Sequence, residues 1–297
     1  MANDVSPLSQ QFSIPYLTLN EFKNAPTAID IDNLVFNSTD PDAQDAELSN
    51  VIARASSYID TFCNQILGAS SDTEQQRTRI KRDGSIRFHP NNSPIVALTN
   101  LWYGSDLTQL TQMTDPSICW LESQQVIVPS SGLSTNYTSQ GSLSLGSFTG
   151  NTTECYLKYT YVNGYANDTI VSATAGQTTL TVANGIGFHA GLMLKIYDGL
   201  NSENVTVGST YTFGSNTVPL ANPLNYSHSA GVSISALPPA IKEAAILITT
   251  AMLKVRGDNS MVMNVTTSPA HSTPGSQAIA SDIGMAQELL KPFRRIR

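Results

Sequence analysis

The sequence predicts an α+β fold: a mainly helical domain with a β-ribbon and small strands, carrying an inserted small all-β domain, barrel or sandwich. Three observations predict it. Apolar residues recur at helical spacing in two stretches, Leu48 to Ile66 and Ile241 to Val255. Arg77, Arg79 and Lys81 alternate with Thr78 and Ile80 ahead of an Asp83-Gly84 hairpin signal. Between residues 168 and 236, short Thr/Val/Leu/Ile runs alternate with turn dipeptides, as in small sandwiches and barrels. The expected organisation is residues 1–167 and 237–297 as one domain, interrupted by 168–236.

The first element is a short helix over residues 18–24, where Thr18 and Glu21 have capping-box spacing and Pro26 stops the chain. The main N-terminal helix starts at Asp40, a good N-cap, with Pro41 at the first helical position. Asp42, Asp45 and Glu47 complement the positive end of its dipole. Leu48, Ile52, Ala55, Ile59, Phe62 and Ile66 place one apolar stripe on a helix of about 25 residues, with Gly68 as C-cap.

Beyond the ribbon, strands are expected at Ile95 to Trp102, Ile118 to Leu121, Gln125 to Val128 and Glu154 to Val162, with a Ser/Gly/Thr-rich loop over 130–153. The inserted region offers Thr178 to Val182, Leu192 to Tyr197, Asn204 to Val207, Thr217 to Leu220 and Val232 to Ser235. Asn184-Gly185, Asp198-Gly199, Gly214-Ser215 and Asn222-Pro223 mark its turns. Pro238-Pro239 then opens a second long helix, ended by Lys254, Arg256 and Gly257. A last short helix, roughly Ser281 to Lys291, stops at Pro292.

Charge is unevenly spread. The formal net charge is -7 with only 13% charged residues, and residues 1–75 hold eleven Asp/Glu against Lys23 and Arg54. The last seven residues, Lys291, Pro292, Phe293, Arg294, Arg295, Ile296 and Arg297, carry four cations. Opposite signs at the two ends favour head-to-tail association. The N-terminus shows no basic region followed by an apolar run, and no stretch reaches bilayer-spanning length, so use in a soluble compartment or release by lysis is expected. Cys63, Cys119 and Cys155 lack CxxC spacing and read as buried thiols. The Asn-x-Ser/Thr sequons, such as Asn37-Ser38-Thr39, read as accidents of composition.

Four segments, in order, resemble the head-to-tail adaptor (connector) proteins of tailed bacteriophages. They are Tyr16-Leu17-Thr18-Leu19-Asn20-Glu21-Phe22, the helix from Ala46 through Asp60, Leu237-Pro238-Pro239-Ala240-Ile241-Lys242-Glu243-Ala244-Ala245, and Leu289-Leu290-Lys291-Pro292-Phe293-Arg294-Arg295. A β segment ending Tyr161-Val162-Asn163-Gly164-Tyr165 accompanies them, and residues 168–236 depart from the shorter family members. The resemblance implies a mainly helical adaptor domain and a homo-oligomeric ring of about twelve subunits around a DNA channel, each contacting the next through unlike faces. It also implies a virion location at the head-tail interface, after assembly in the host cytoplasm. The C-terminal segment would dock on the portal protein, and a stopper or tail-completion protein would bind the other rim. DNA would pass without sequence-specific binding.

Within that reading, Lys291, Pro292, Phe293, Arg294, Arg295, Ile296 and Arg297 form the portal-docking tail, because Phe293 and Ile296 among cations suit pockets rimmed by carboxylates. Nucleic-acid binding by the tail is weighed against, since the sequence displays no basic face interleaved with aromatics. Asp40, Asp42, Asp45 and Glu47 of one subunit are expected to meet Arg77, Arg79, Lys81 and Arg82 of the next, against the plainer reading of a solvated strand face.

No cofactor, metal site or catalytic centre is expected. His89, His189, His228 and His271 lack ligand spacing, His228 reads as a turn cap, and G-x-S-x-G, H-E-x-x-H and P-loop patterns do not occur. Asp198 and Glu203 flank a turn and are the weak basis for a polysaccharide-cleaving alternative. A second alternative is surface decoration or carbohydrate binding through the insert, with Tyr197, Tyr211, Phe213 and Tyr226 as the stacking platform.

Overall fold

A computed structural model describes residues 14–27, 29–32, 34–35, 38–81, 83–104, 107–108, 110–122, 124–132, 153–256 and 274–295. Helix α1 (Leu19–Lys23) carries the expected capping box: the Glu21 N–H donates to Thr18 Oγ1 at 3.3 Å, and the Thr18 N–H donates to Glu21 Oε2 at 2.6 Å. Helix α2 (Pro41–Cys63) begins at Asp40, whose carboxylate accepts the Asp42 N–H. It ends before the expected Gly68, because Asn64 takes the left-handed cap at φ 54°. Asparagine tolerates that conformation, so the helix stops where the first competent cap residue occurs.

The mainly helical expectation is overturned. The molecule is mostly β, with thirteen strands in two curled antiparallel sheets and 29% helix among the described residues. The first sheet comprises β1 (Ser70–Ile80), β2 (Ile86–Phe88), β3 (Ile95–Gly104), β4 (Thr111–Gln112), β5 (Trp120–Leu121), β6 (Val126–Val128) and β7 (Thr153–Asn163), in the order β4-β3-β7-β1-β2-β6-β5. The expected ribbon is only a corner of it. β1 meets β2 through the Ile80–Ile86 pair but runs against β7 over eleven positions, from Ser70↔Asn163 to Ile80↔Thr153. Thr73 and Thr160, in contact across that ladder, are 87 residues apart. Local periodicity carries no signal for such a pairing, which depends on cross-strand packing.

This sheet encloses its own core of Ile80, Ile86, Phe88, Leu101, Leu157 and Tyr159, among others. One buried carboxylate sits there. Glu74 accepts the hydroxyls of Tyr159 at 2.8 Å and Tyr161 at 2.6 Å, and the Asn91 N–H, which satisfies it from three directions.

The second sheet uses β8 (Asn167–Ser172), β9 (Thr179–Val182), β10 (Met193–Tyr197), β11 (Glu203–Thr206), β12 (Thr217–Pro219) and β13 (Ser233–Ser235), in the order β11-β10-β13-β8-β9-β12. Its core is Ile170, Leu180, Phe188, Ile196, Val218 and Ile234 with their neighbours. Helix α3 (Pro239–Arg256) buries Ile241, Ala244, Ala245 and Ile248, and α2 buries Leu48, Ile52, Ala55 and Ile59. Helix α4 (Pro274–Leu290) packs on both. The described residues form two compact units: those within 69–165, and those within 14–68 and 166–295. The second sheet therefore belongs with the helices. No helix among the described residues is long and apolar enough to cross a membrane.

Candidate interaction surfaces

At the start of α2, Asp40 and Asp42 are exposed, and Asp40 is occupied only as the cap. The other two carboxylates are engaged within the chain. Asp45 pairs with Lys23 at 2.6 Å and Glu47 with Arg54 at 2.7 Å, and their partial exposure makes both pairs weak contributors to stability.

On β1, Arg77, Arg79 and Lys81 are exposed in register on one face, as strand alternation requires. Arg77 lies 3.3 Å from Glu154 of β7. Arg82 lies outside the described residues. The acidic helix start and the basic strand fall in different compact units.

The basic tail is described through Arg295. Leu290 is fully buried, and a 3-10 turn, Lys291–Phe293, follows it. The Arg294 guanidinium stacks 5.5 Å from the Phe62 ring, the Arg295 N–H donates to Cys63 O at 2.9 Å, and Gln65 Nε2 donates to Phe293 O at 2.9 Å. The tail thus supplies a donor and a cation to the C-terminal end of α2, where unpaired carbonyls and the negative dipole end favour both. Lys291 pairs with Glu288 at 2.5 Å. Lys291, Pro292 and Arg294 face solvent, and Ile296 and Arg297 lie outside the described residues.

Three residues read separately in the sequence come together in the second unit. His228, its side chain 0% exposed, places Nδ1 2.8 Å from Asp198 Oδ2 and Nε2 2.9 Å from Glu203 Oε1. Glu203 also accepts the N–H groups of Asn225 and Tyr226 and the Asn225 amide. Burial pushes the Glu203 carboxyl up, but these hydrogen bonds outweigh it and hold the group below its ordinary value. With both ring nitrogens and both Glu203 oxygens engaged, the cluster braces the turn between β10 and β11.

A second buried pair links helix and sheet. Lys242 of α3 donates to Glu21 at 2.7 Å and to Ser233 Oγ at 3.2 Å, and lies 4.5 Å from the Tyr197 ring centroid. Burial lowers the Lys242 pKa, and Glu21 opposes the shift. Tyr197 is also covered by Lys195 at 5.0 Å, while Tyr211 spends its hydroxyl on Gly185 O and Ser215 O. Tyr211 is half-buried against Phe188, and Phe213 and Tyr226 are exposed. All three cysteines are free and buried, and burial pushes Cys63 and Cys119 up to about 12 and Cys155 to about 11. Among the described residues no group of His, Cys, Asp and Glu has metal-holding geometry.

The outer face of the first sheet escaped sequence reasoning. Trp102, between buried Leu101 and Tyr103, faces outward with Lys158 Nζ 5.5 Å from its ring centroid. Tyr156 stands opposite Arg77 in the β1–β7 register. Their outward alternation was visible within each strand, but not their adjacency.

Comparison with family models, curated proteins and solved structures finds no match for this chain.

Proposed function

We propose that this chain is a structural virion protein, a head-to-tail adaptor of a tailed bacteriophage that forms a ring beneath the portal and joins it to a stopper or tail. The reading rests on surfaces and on the segment resemblance, and not on fold class. The observation that carries it is the pair of exposed, oppositely charged sites on separate units: Asp40 and Asp42 on one, Arg79 and Lys81 on the other. Unlike patches on one chain make heterologous contacts, which close into rings when the rotation permits. Asp45, Glu47 and Arg77 already have partners within the chain, so the intersubunit contribution falls mainly to the other four. Such charge pairing sets register and encounter more than affinity.

Portal docking is assigned to the solvent-facing cations Lys291 and Arg294 beside the half-buried Phe293. Deleting residues 292–297 would also strip the contacts that Phe293, Arg294 and Arg295 make with the end of α2. Substitution is the cleaner test. Lys291→Ser with Arg294→Ser is expected to keep ring mass by native mass spectrometry while abolishing portal capture. Arg79→Glu with Lys81→Glu is expected to break the ring. Persistent wild-type monomers that do not bind portal would sink the proposal.

A further inference from the structure

The first sheet has an outer face on which no other element of the described residues packs, with a composition unlike the rest of this acidic chain. Alternation places Arg77 and Arg79 of β1, Arg87 of β2 and Lys158 of β7 on it, because their strand neighbours Ile80, Ile86, Phe88 and Leu157 are the buried ones. Glu154 is the one carboxylate among the described residues of those strands on that face. Four cations against one anion stand on a chain of net charge -7.

Aromatic rings interleave with these cations. Trp102 lies opposite Lys158, and Tyr156 lies between Arg77 and Gly104. On β5, which the curl of the sheet brings back against β3, Trp120, 69% exposed, pairs with Ile127, which in turn pairs with Arg87. The chain's two tryptophans are therefore both on this face. From β3 to β5 it crosses five strand spacings, on the order of 24 Å along the curved surface.

The geometry points to this face as a binding surface for single-stranded nucleic acid. Guanidinium and ammonium groups meet the phosphates and release counterions, and exposed rings beside them stack bases without regard to sequence. An acidic protein segment would satisfy the cations but gives no reason for indoles between them. Gly104, opposite Tyr156, leaves the space over that ring free of a side chain on β3. The inference goes beyond the adaptor reading and does not depend on it.

The test uses the full chain, a fluorescein-labelled oligo(dT) of about 20 nucleotides, a duplex of equal length and poly-glutamate as a competitor. Binding is expected to quench tryptophan fluorescence and raise oligonucleotide anisotropy, with log affinity falling against log salt at a slope of about -3 if four phosphates are engaged. Arg87→Thr with Lys158→Thr, outside the proposed ring contact, is expected to weaken binding at least tenfold and to flatten the slope by about 1.4, with ring mass unchanged. Trp120→Ser is expected to weaken binding about tenfold without changing the slope. No binding at low salt, affinity unchanged in these variants, a preference for duplex, or equal competition by poly-glutamate would each overturn the inference. Loss of ring formation with oligonucleotide binding intact would count against the adaptor reading alone.

Discussion

Lys242 Nζ lies 2.7 Å from Glu21 Oε1, and both side chains are only 7% exposed. Glu21 is at once the N3 residue of the α1 capping box and the counter-ion of a lysine on α3. One carboxylate therefore ties a five-residue helix, too short to be stable alone, to the rest of its unit. Lys242→Met is expected to lower stability by about 3–5 kcal/mol in urea unfolding, since it leaves Glu21 buried and uncompensated. Lys242→Met with Glu21→Gln should recover a substantial part of that loss. Equal losses in the single and double variants would show that packing, not charge, is at stake.

The pH dependence has a definite sign. Burial raises Asp60 and Asp168 from 3.8 to about 6. Between those values the native state holds more protons than the unfolded chain, so stability from these groups is greatest below about pH 4 and falls as pH rises through 6. Glu203 acts oppositely: its depressed pKa stabilises above the ordinary value of 4.5 and is lost on acidification. Urea midpoints measured from pH 3 to 8 are expected to be highest near pH 4 and to decline through pH 6 to a lower level by pH 7. Asp168→Asn should flatten the upper decline, although it also loses one of the backbone N–H contacts from Thr169 and Asn184.

His228 is the sole side chain bonded to both Asp198 and Glu203 among the described hydrogen bonds. Each ring nitrogen faces one carboxylate, Nδ1 toward Asp198 and Nε2 toward Glu203. His228→Phe is expected to cost about 1–3 kcal/mol, because the buried Glu203 carboxylate loses a partner while Asp198, 29% exposed, can turn to water. Amide exchange should quicken in residues 198–203, and unchanged exchange there would refute the bracing role.

Gly185 is fixed by close approach. A Cβ at this position would stand 2.1 Å from Ser215 O and 2.9 Å from Tyr211 Oη. Gly185→Ala is expected to destabilise by about 3 kcal/mol, the upper range of overpacking, because the nearest obstacle is backbone. Gly176→Ala, where nothing lies within 4 Å but φ is +80°, should cost about 1 kcal/mol through backbone strain alone. Thermal unfolding of the two variants separates the effects.

Local chemistry was legible where neighbours in sequence decide the structure. Thr18 and Glu21, Asp40 and Pro41, and Pro239 opening α3 are contacts or caps within a few residues, and the capping and turn preferences that read them are properties of short segments. The early end of α2 at Asn64 was missed because two residues, Asn64 and Gly68, were each able to cap, and Tyr16 decides between them. Its hydroxyl accepts the N–H groups of Leu67 and Gly68 and donates to Asp60, which holds those residues off the helix.

The sequence by itself determined the first three helices, their apolar stripes, most turns and the alternation along each strand, because propensity and periodicity act over a few residues, whereas the last helix, expected from Ser281, begins at Pro274. Only the tertiary structure decided that β dominates, that β7 pairs with β1, that His228 joins Asp198 to Glu203, and that Trp102, Lys158, Arg87 and Trp120 share one face. These are juxtapositions of distant segments, selected by burial and backbone pairing across the whole chain. Alternation tells which side of a strand a residue takes, and the strand order tells beside what.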